Sequence, residues 1–358
     1  MVLPNRYLEM EVAGTPREMG RQLGEAAGEL IRGFSAIAMD RVNLTLAISR
    51  EAALGVARES IPFVERYSVD MLEEMKGVAE AARISLDELM LLQVRNQLQA
   101  SDSGCTSLSL GRPFCEQRIL AQNWDADPAL DEFTIVLTRR PVGKPAFMSV
   151  TQAGLIAYIG FNSAGVGLCA NTLPAPSRRL GVPHYFLIRG VYESTSLEEA
   201  VNAVSRAERA IPANMMLTTP QGPADLEVTL ESVQVLDGGA SGLVTHTNHC
   251  RHPDLIRIND SFPELIQSHA RQTRIDALLN FGNRNAEPGS QDATVSRLMT
   301  ALSDHEGHPR SICRHTNDDL PHGFWQTVFS VIIEPDKQQM QITRGTPCDH
   351  PYERYILA

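Results

Sequence analysis

The sequence predicts an α+β protein built of packed layers, and three observations carry that reading. Residues up to about 98 are patterned as helix, nearly all the strand-like alternation follows residue 104, and helical signals then return in blocks between further strands. Runs of strands and runs of helices pack as layers, whereas a doubly wound parallel sheet alternates the two. Gly165-Val166-Gly167 lacks the third glycine and the following helix of a dinucleotide-binding turn, and there is no Walker A sequence, HExxH or internal repeat.

Taken in order, Arg6–Val12 alternates as an opening strand, and Thr15-Pro16-Arg17-Glu18 starts a helix with a Thr cap, Pro at the first position and Glu at the third. Gly20, Gly24 and Gly28 fall on one face of that helix. Glycine costs roughly 1 kcal/mol in a helix, so such a stripe predicts close backbone packing. Ser85-Leu86-Asp87-Glu88 is a second capping box and Ser196-Leu197-Glu198-Glu199 a third. Strands are predicted at 105–110, 118–124, 133–138, 146–151, 155–161, 166–171, 215–219, 226–230 and 243–247. Helices are predicted at 196–208, 268–280 and 292–302, and 327–333 with 339–343 reads as a closing hairpin.

A chain of 358 residues with 43% hydrophobic and 21% charged residues has ample material for a core. No Pro/Ser-rich linker marks a boundary, so one domain across 1–358 is expected. With 32 basic against 43 acidic residues and no Lys/Arg block, neither nucleic acid nor a membrane surface is an expected partner. Met1–Tyr7 lacks a signal-like apolar stretch, and six scattered cysteines show no CxxC. Those features predict a cytoplasmic protein with free thiols and no cofactor or metal.

Ser103-Gly104-Cys105, at the seam between helical and strand-like halves, is the sharpest chemical signal. The Cys105 thiol can attack the Gly104 carbonyl and cut the chain. Cys105 then becomes a new N-terminus whose sulfur is the nucleophile and whose α-amine, with a reference pKa near 8, is the base. A hairpin through Gly111–Gln117, centred on residue 115, sets Asp125 across from Cys105, where a carboxylate can hold that amine. Thr245-His246-Thr247-Asn248-His249-Cys250 brings Asn248 to a strand end, and an amide there can donate to an oxyanion. Asn171, Trp124 and Arg314 are weaker candidates for contact with substrate. Each piece also has a plainer reading: an inert buried thiol at Cys105, a turn-forming Asp125, a loop-satisfying Asn248, a surface Arg314. His246, His249, His252 and Cys250 together also suggest zinc, although no CxxC or distant carboxylate partner stands out.

In order and spacing, the Gly20/Gly24 helix, Asp102-Ser103-Gly104-Cys105-Thr106, Gln122-Asn123-Trp124-Asp125, Thr245-His246-Thr247-Asn248-His249, Ser311-Ile312-Cys313-Arg314 and Thr327-Val328-Phe329 resemble the acyl-CoA:6-aminopenicillanic acid acyltransferase family, a branch of the Ntn hydrolases. The resemblance covers nearly the whole chain. It implies an αββα four-layer sandwich and autocatalytic cleavage into 1–104 and 105–358, which stay associated, with homo-oligomerisation left open. It also implies Cys105 as nucleophile and α-amine base, Asp125 orienting the amine, and Asn248 in the oxyanion hole. The expected substrate is a small N-acyl amine with a linear amide; acyl-CoA-dependent transfer is one alternative and a non-catalytic binding protein of the same fold another. The fungal penicillin-forming enzymes carry a Ser-Arg pair before the Thr-x-Phe strand. Here the stretch reads Pro321-His322-Gly323-Phe324-Trp325-Gln326, so the resemblance does not extend to penicillin synthesis.

Overall fold

The computed structural model describes residues 4–98, 104–279, 291–320 and 322–358. Asp102 and Ser103 of the cysteine motif, Asn280 of a predicted helix, and Pro321 lie outside them. The chain opens with β1 (Leu8–Gly14), followed by α1 (Pro16–Val42), α2 (Arg50–Tyr67), α3 (Val69–Ala82) and α4 (Leu86–Val94). Then come β2 (Gly104–Leu110), β3 (Ile119–Ala126), β4 (Thr134–Pro141), β5 (Phe147–Gln152), β6 (Ile159–Asn162) and β7 (Gly167–Asn171). The middle holds α5 (His184–Val191), α6 (Leu197–Ser205), β8 (Ala213–Thr219), β9 (Gly222–Val228), β10 (Val233–Asp237) and β11 (Leu243–His246). The chain closes with α7 (Ser268–Leu279), α8 (Gln291–Leu302), β12 (Gln326–Glu334), β13 (Gln339–Thr343) and β14 (Tyr352–Ile356).

Two sheets face each other. One runs β1-β4-β5-β6-β7-β8-β9-β10 and the other β11-β2-β3-β12-β13-β14. Only the β1–β4 pairing is parallel; every other pairing between these strands is antiparallel, as hairpin-rich layers require. Strands β2 and β3 lie over β7 and β8, while α7 and α8 pack on the far side of β2 and β3. Helices α1 to α6 cover the outer face of the eight-stranded sheet, giving the αββα order expected.

Two of the three capping boxes form as predicted: the Glu18 and Glu88 carboxylates accept from the Thr15 and Ser85 amides at 2.8 and 3.1 Å. At the third, Ser196 Oγ accepts from the Glu199 amide at 3.2 Å as a cap should, but the Glu199 carboxylate accepts from the Thr195 amide at 2.7 Å, one residue before the cap. A Cβ on Gly20 would lie 2.0 Å from the Glu74 carbonyl oxygen, and one on Gly24 2.6 Å from that of Val78. The stripe therefore lets α1 and α3 touch backbone to backbone. Below that contact Glu74 is buried against Arg139 on β4 at 2.7 Å, with Arg189 of α5 at 3.6 Å. Burying one charge alone would cost several kcal/mol, so the pairing is obligatory there.

Candidate active site

Alternation along β2 and β3 sorts the site onto two faces. Cys105, Ser107, Gln122 and Trp124 look toward the other sheet, where Cys105 and Trp124 join the core containing Tyr158 and Cys169. Leu108, Leu110, Ile119 and Ala121 look the other way, into the core formed with α7 and α8. Asp125 shares that outer face, so the Cys105 thiol and the Asp125 carboxylate project from opposite sides of one sheet.

The predicted hairpin forms, but its register differs by one residue. Leu110 pairs with Ile119, Cys105 with Trp124 and Gly104 with Asp125. The connection spans 111–118, an even number of residues, so its axis falls between Phe114 and Cys115 instead of on residue 115. Asp125 thus lies across from the residue that precedes the proposed cut.

Asn248 reaches this point from the end of β11. His246 is clamped by Glu227 at 2.9 Å, with Asp225 at 3.9 Å. Burial alone would lower the His246 pKa, but the two carboxylates outweigh it and raise it. Glu227 also accepts from the backbone amides of Arg251 and His252, fixing the loop that follows. Asn248 Oδ1 then accepts from the Cys105 backbone amide at 3.0 Å and from Arg271 Nη2 at 2.7 Å. Those two donors fix the amide orientation. Its Nδ2 gives one N–H to the Thr172 carbonyl at 2.9 Å, and the second has no partner among the described residues.

Arg271 is a buried residue beside Cys105 and Asn248 that the sequence did not reveal. It is wholly buried on α7 and donates to the Cys105 carbonyl at 2.6 Å, Thr106 Oγ1 at 3.0 Å and the Ile266 carbonyl at 2.9 Å, besides Asn248. Nothing in its helical period distinguishes it from a surface arginine. Burial lowers its pKa to about 10 against the pull of Asp125. Asp125 accepts from Thr327 Oγ1 at 2.7 Å, while its other oxygen is buried with no hydrogen-bond partner among the described residues.

Gly104 is pressed by Ile266: a Cβ there would lie 1.6 Å from Ile266 Cδ1. Ile266 and Gln267 hold φ of +37° and +54°. A β-branched side chain rarely adopts a positive φ, so this turn is strained beside the site. The same turn walls a cavity of about 660 Å³ whose lining includes Tyr158, Asn171, Thr172, His184, Phe262 and His322. Burial lowers His184 and His322 to pKa values of about 4, leaving both neutral.

The weaker candidates separate. Asn171 donates to Ser107 Oγ and to the His246 and Thr247 carbonyls and accepts from Gln122, so its amide is spent on joining the sheets. Trp124 is packed between Tyr158 and Phe329. Arg314, read as a surface residue or an anion contact, is fully buried and holds Gln267 and Asp319 on the cavity wall. The suggested zinc ligands do not converge: His246 binds its carboxylates, His249 bonds Ser268 at 2.7 Å, and His252 turns toward Asp254.

This fold and site define an enzyme of the amidohydrolase and acyltransferase class. Residues 114–349 match the family described as acyl-coenzyme A:6-aminopenicillanic acid acyl-transferase, and the chain belongs to that family. It is 28% identical over 360 positions to the "acyl-coenzyme A:6-aminopenicillanic-acid-acyltransferase 40 kDa form" of Emericella nidulans, covering 98% of this chain and 96% of that one. Two solved structures are more distant. Penicillin V acylase from Agrobacterium tumefaciens aligns at 14% identity and TM-score 0.44, over 66% of this chain and 82% of its own. A variant of conjugated bile acid hydrolase from Clostridium perfringens aligns at 12% and 0.48, over 71% and 97%.

Asp125 gives the site a pH signature. Burial pushes its pKa up to about 6, only partly offset by Arg271, Thr327 and Arg314, from an ordinary 3.8. Between those values the folded chain keeps a proton that the unfolded chain has lost, so stability falls as pH rises from about 4 to 6 and is level above. The full effect is about 3 kcal/mol. Asp225 is raised similarly and adds its own slope. Urea melts of Cys105→Ala and Cys105→Ala/Asp125→Asn should therefore diverge across that window, the Asn variant gaining relative stability with pH. A constant gap would contradict the assignment.

Proposed function

We propose that this protein is a self-activating cysteine amidohydrolase acting on the linear amide of a small N-acyl amine. The observation that carries the reading is Asn248: its oxygen holds the Cys105 amide nitrogen, one N–H goes to Thr172 of the cavity lining, and the second is uncommitted among the described residues. In maturation the Cys105 sulfur attacks the Gly104 carbonyl carbon. The peptide C–N bond breaks, the nitrogen keeps its electron pair and takes the thiol proton, and a thioester remains. Water then releases the Gly104 carboxylate and returns the thiol. Departure of Gly104 opens the place across from Asp125, whose second oxygen, without a partner among the described residues, can accept a hydrogen bond from the new α-amine.

In turnover the α-amine takes the thiol proton as sulfur attacks the substrate carbonyl, the free Asn248 N–H stabilises the oxyanion, and the ammonium returns the proton to the leaving amine. Water completes hydrolysis. The family description favours a second reading, in which an amine accepts the acyl group and acyl-CoA donates it. The cavity supports hydrolysis first: among the described residues lining it there is no Lys or Arg for the phosphates of CoA. The test is a panel of small N-acyl amines, each assayed alone and with acyl-CoA plus amine. Amide hydrolysis without CoA is the expected result; amide synthesis outpacing hydrolysis would replace it with the transferase reading.

A further inference from the structure

Outside the active site, two cysteines and two histidines aim their ligand atoms at one point. Cys313 Sγ and Cys348 Sγ lie 3.5 Å apart, and His315 Nε2 is 3.7 Å from the first and 3.6 Å from the second. His305 Nε2 is 3.3 Å from His315 Nε2, and all four atoms fall within 4.8 Å of one another. Zinc bonded to sulfur at about 2.3 Å and to nitrogen at about 2.0–2.1 Å in a tetrahedron requires edges of about 3.8 Å between sulfurs, about 3.5 Å between sulfur and nitrogen, and about 3.3 Å between nitrogens. The observed spacings lie within about 0.3 Å of those edges, the two sulfurs sitting slightly closer together than a bound zinc would hold them. Two imidazole nitrogens facing each other at 3.3 Å share at most one hydrogen bond, whereas both lone pairs can serve a cation.

We propose that His305, Cys313, His315 and Cys348 form a structural zinc site. The donor set of two thiolates and two imidazoles suits zinc and fills its coordination with protein, leaving no open position for catalysis. Binding releases the two thiol protons to solvent. His305 follows α8, Cys313 and His315 flank Arg314, and Cys348 lies between β13 and β14. The metal therefore staples the Arg314 segment, which reaches Asp125 through Thr327, to the far end of the chain. The 305, 313, 315 and 348 spacing matches no finger pattern, so the sequence did not predict this site.

The test is metal analysis of the full-length chain purified without chelator, in both wild type and Cys105→Ala, so that the result does not depend on amide chemistry. One zinc per chain is expected in each, with X-ray absorption showing two sulfur and two nitrogen neighbours. Cys313→Ser/Cys348→Ser should lose the metal. His305→Ala, at an exposed position, guards against a misfolded double variant and should weaken zinc binding by at least about 10–100-fold in chelator competition. A reduced wild-type chain that takes up no added zinc, a Cys313–Cys348 disulfide in the peptide map, or full zinc in a folded double variant would each overturn the proposal.

Discussion

Cys105→Ala is expected to remain one 358-residue chain with amide hydrolysis reduced at least about 10⁴-fold, whereas the wild type resolves into pieces 1–104 and 105–358. The substitution removes the sulfur that opens the Gly104 carbonyl, so no free α-amine appears and both nucleophile and base are lost together. The fold should persist, because alanine keeps the Cβ and the backbone bonds to Asn248 and Arg271 do not involve the side chain. Intact mass and hydrolysis of the best panel substrate read the two effects separately. An uncut wild-type chain that still turns over amides would sink the maturation step and leave the nucleophile standing.

Asn248→Ala should lower kcat by about 10²–10³. A plain deletion also strips an acceptor from the Cys105 amide and from Arg271, so it cannot distinguish donor from strut. Asn248→Asp does: beside Arg271 it keeps the accepting oxygen but offers no N–H, and its charge repels an oxyanion. Both variants should be slow. Wild-type kcat in Asn248→Asp would remove the oxyanion role and leave Asn248 as a positioning residue.

Much of the fold could be read from local chemistry. The capping boxes at Thr15 and Ser85, the Gly20/Gly24 contact and most strands needed only neighbours in sequence. His184–Val191 was not read as a helix because it is only eight residues long and rich in aromatic and β-branched residues, which suit a strand as well. Val233–Asp237 and Tyr352–Ile356 are edge strands, half exposed and short, so their alternation is weak. The hairpin was foreseen but its register was not, since one residue in the 111–118 connection decides which residue faces Asp125. Arg271 and the four residues around Cys313 were out of reach for the same reason: their meaning lies in contacts between distant segments, while their local patterns are ordinary.

The buried Glu74 carries a consequence for assembly. It lies in 1–104, whereas Arg139 and Arg189, which it neutralises, lie in 105–358. After the proposed cut, each piece would hold half of a charge balance that neither can complete. Pieces separated by denaturant should not fold singly, and β1 would have to find β4 again as a foreign strand. On that proposal, continuity of the chain would be needed once, to bring the charges together, and maturation would work as a ratchet: the uncut chain would be the template for a fold its products do not rebuild.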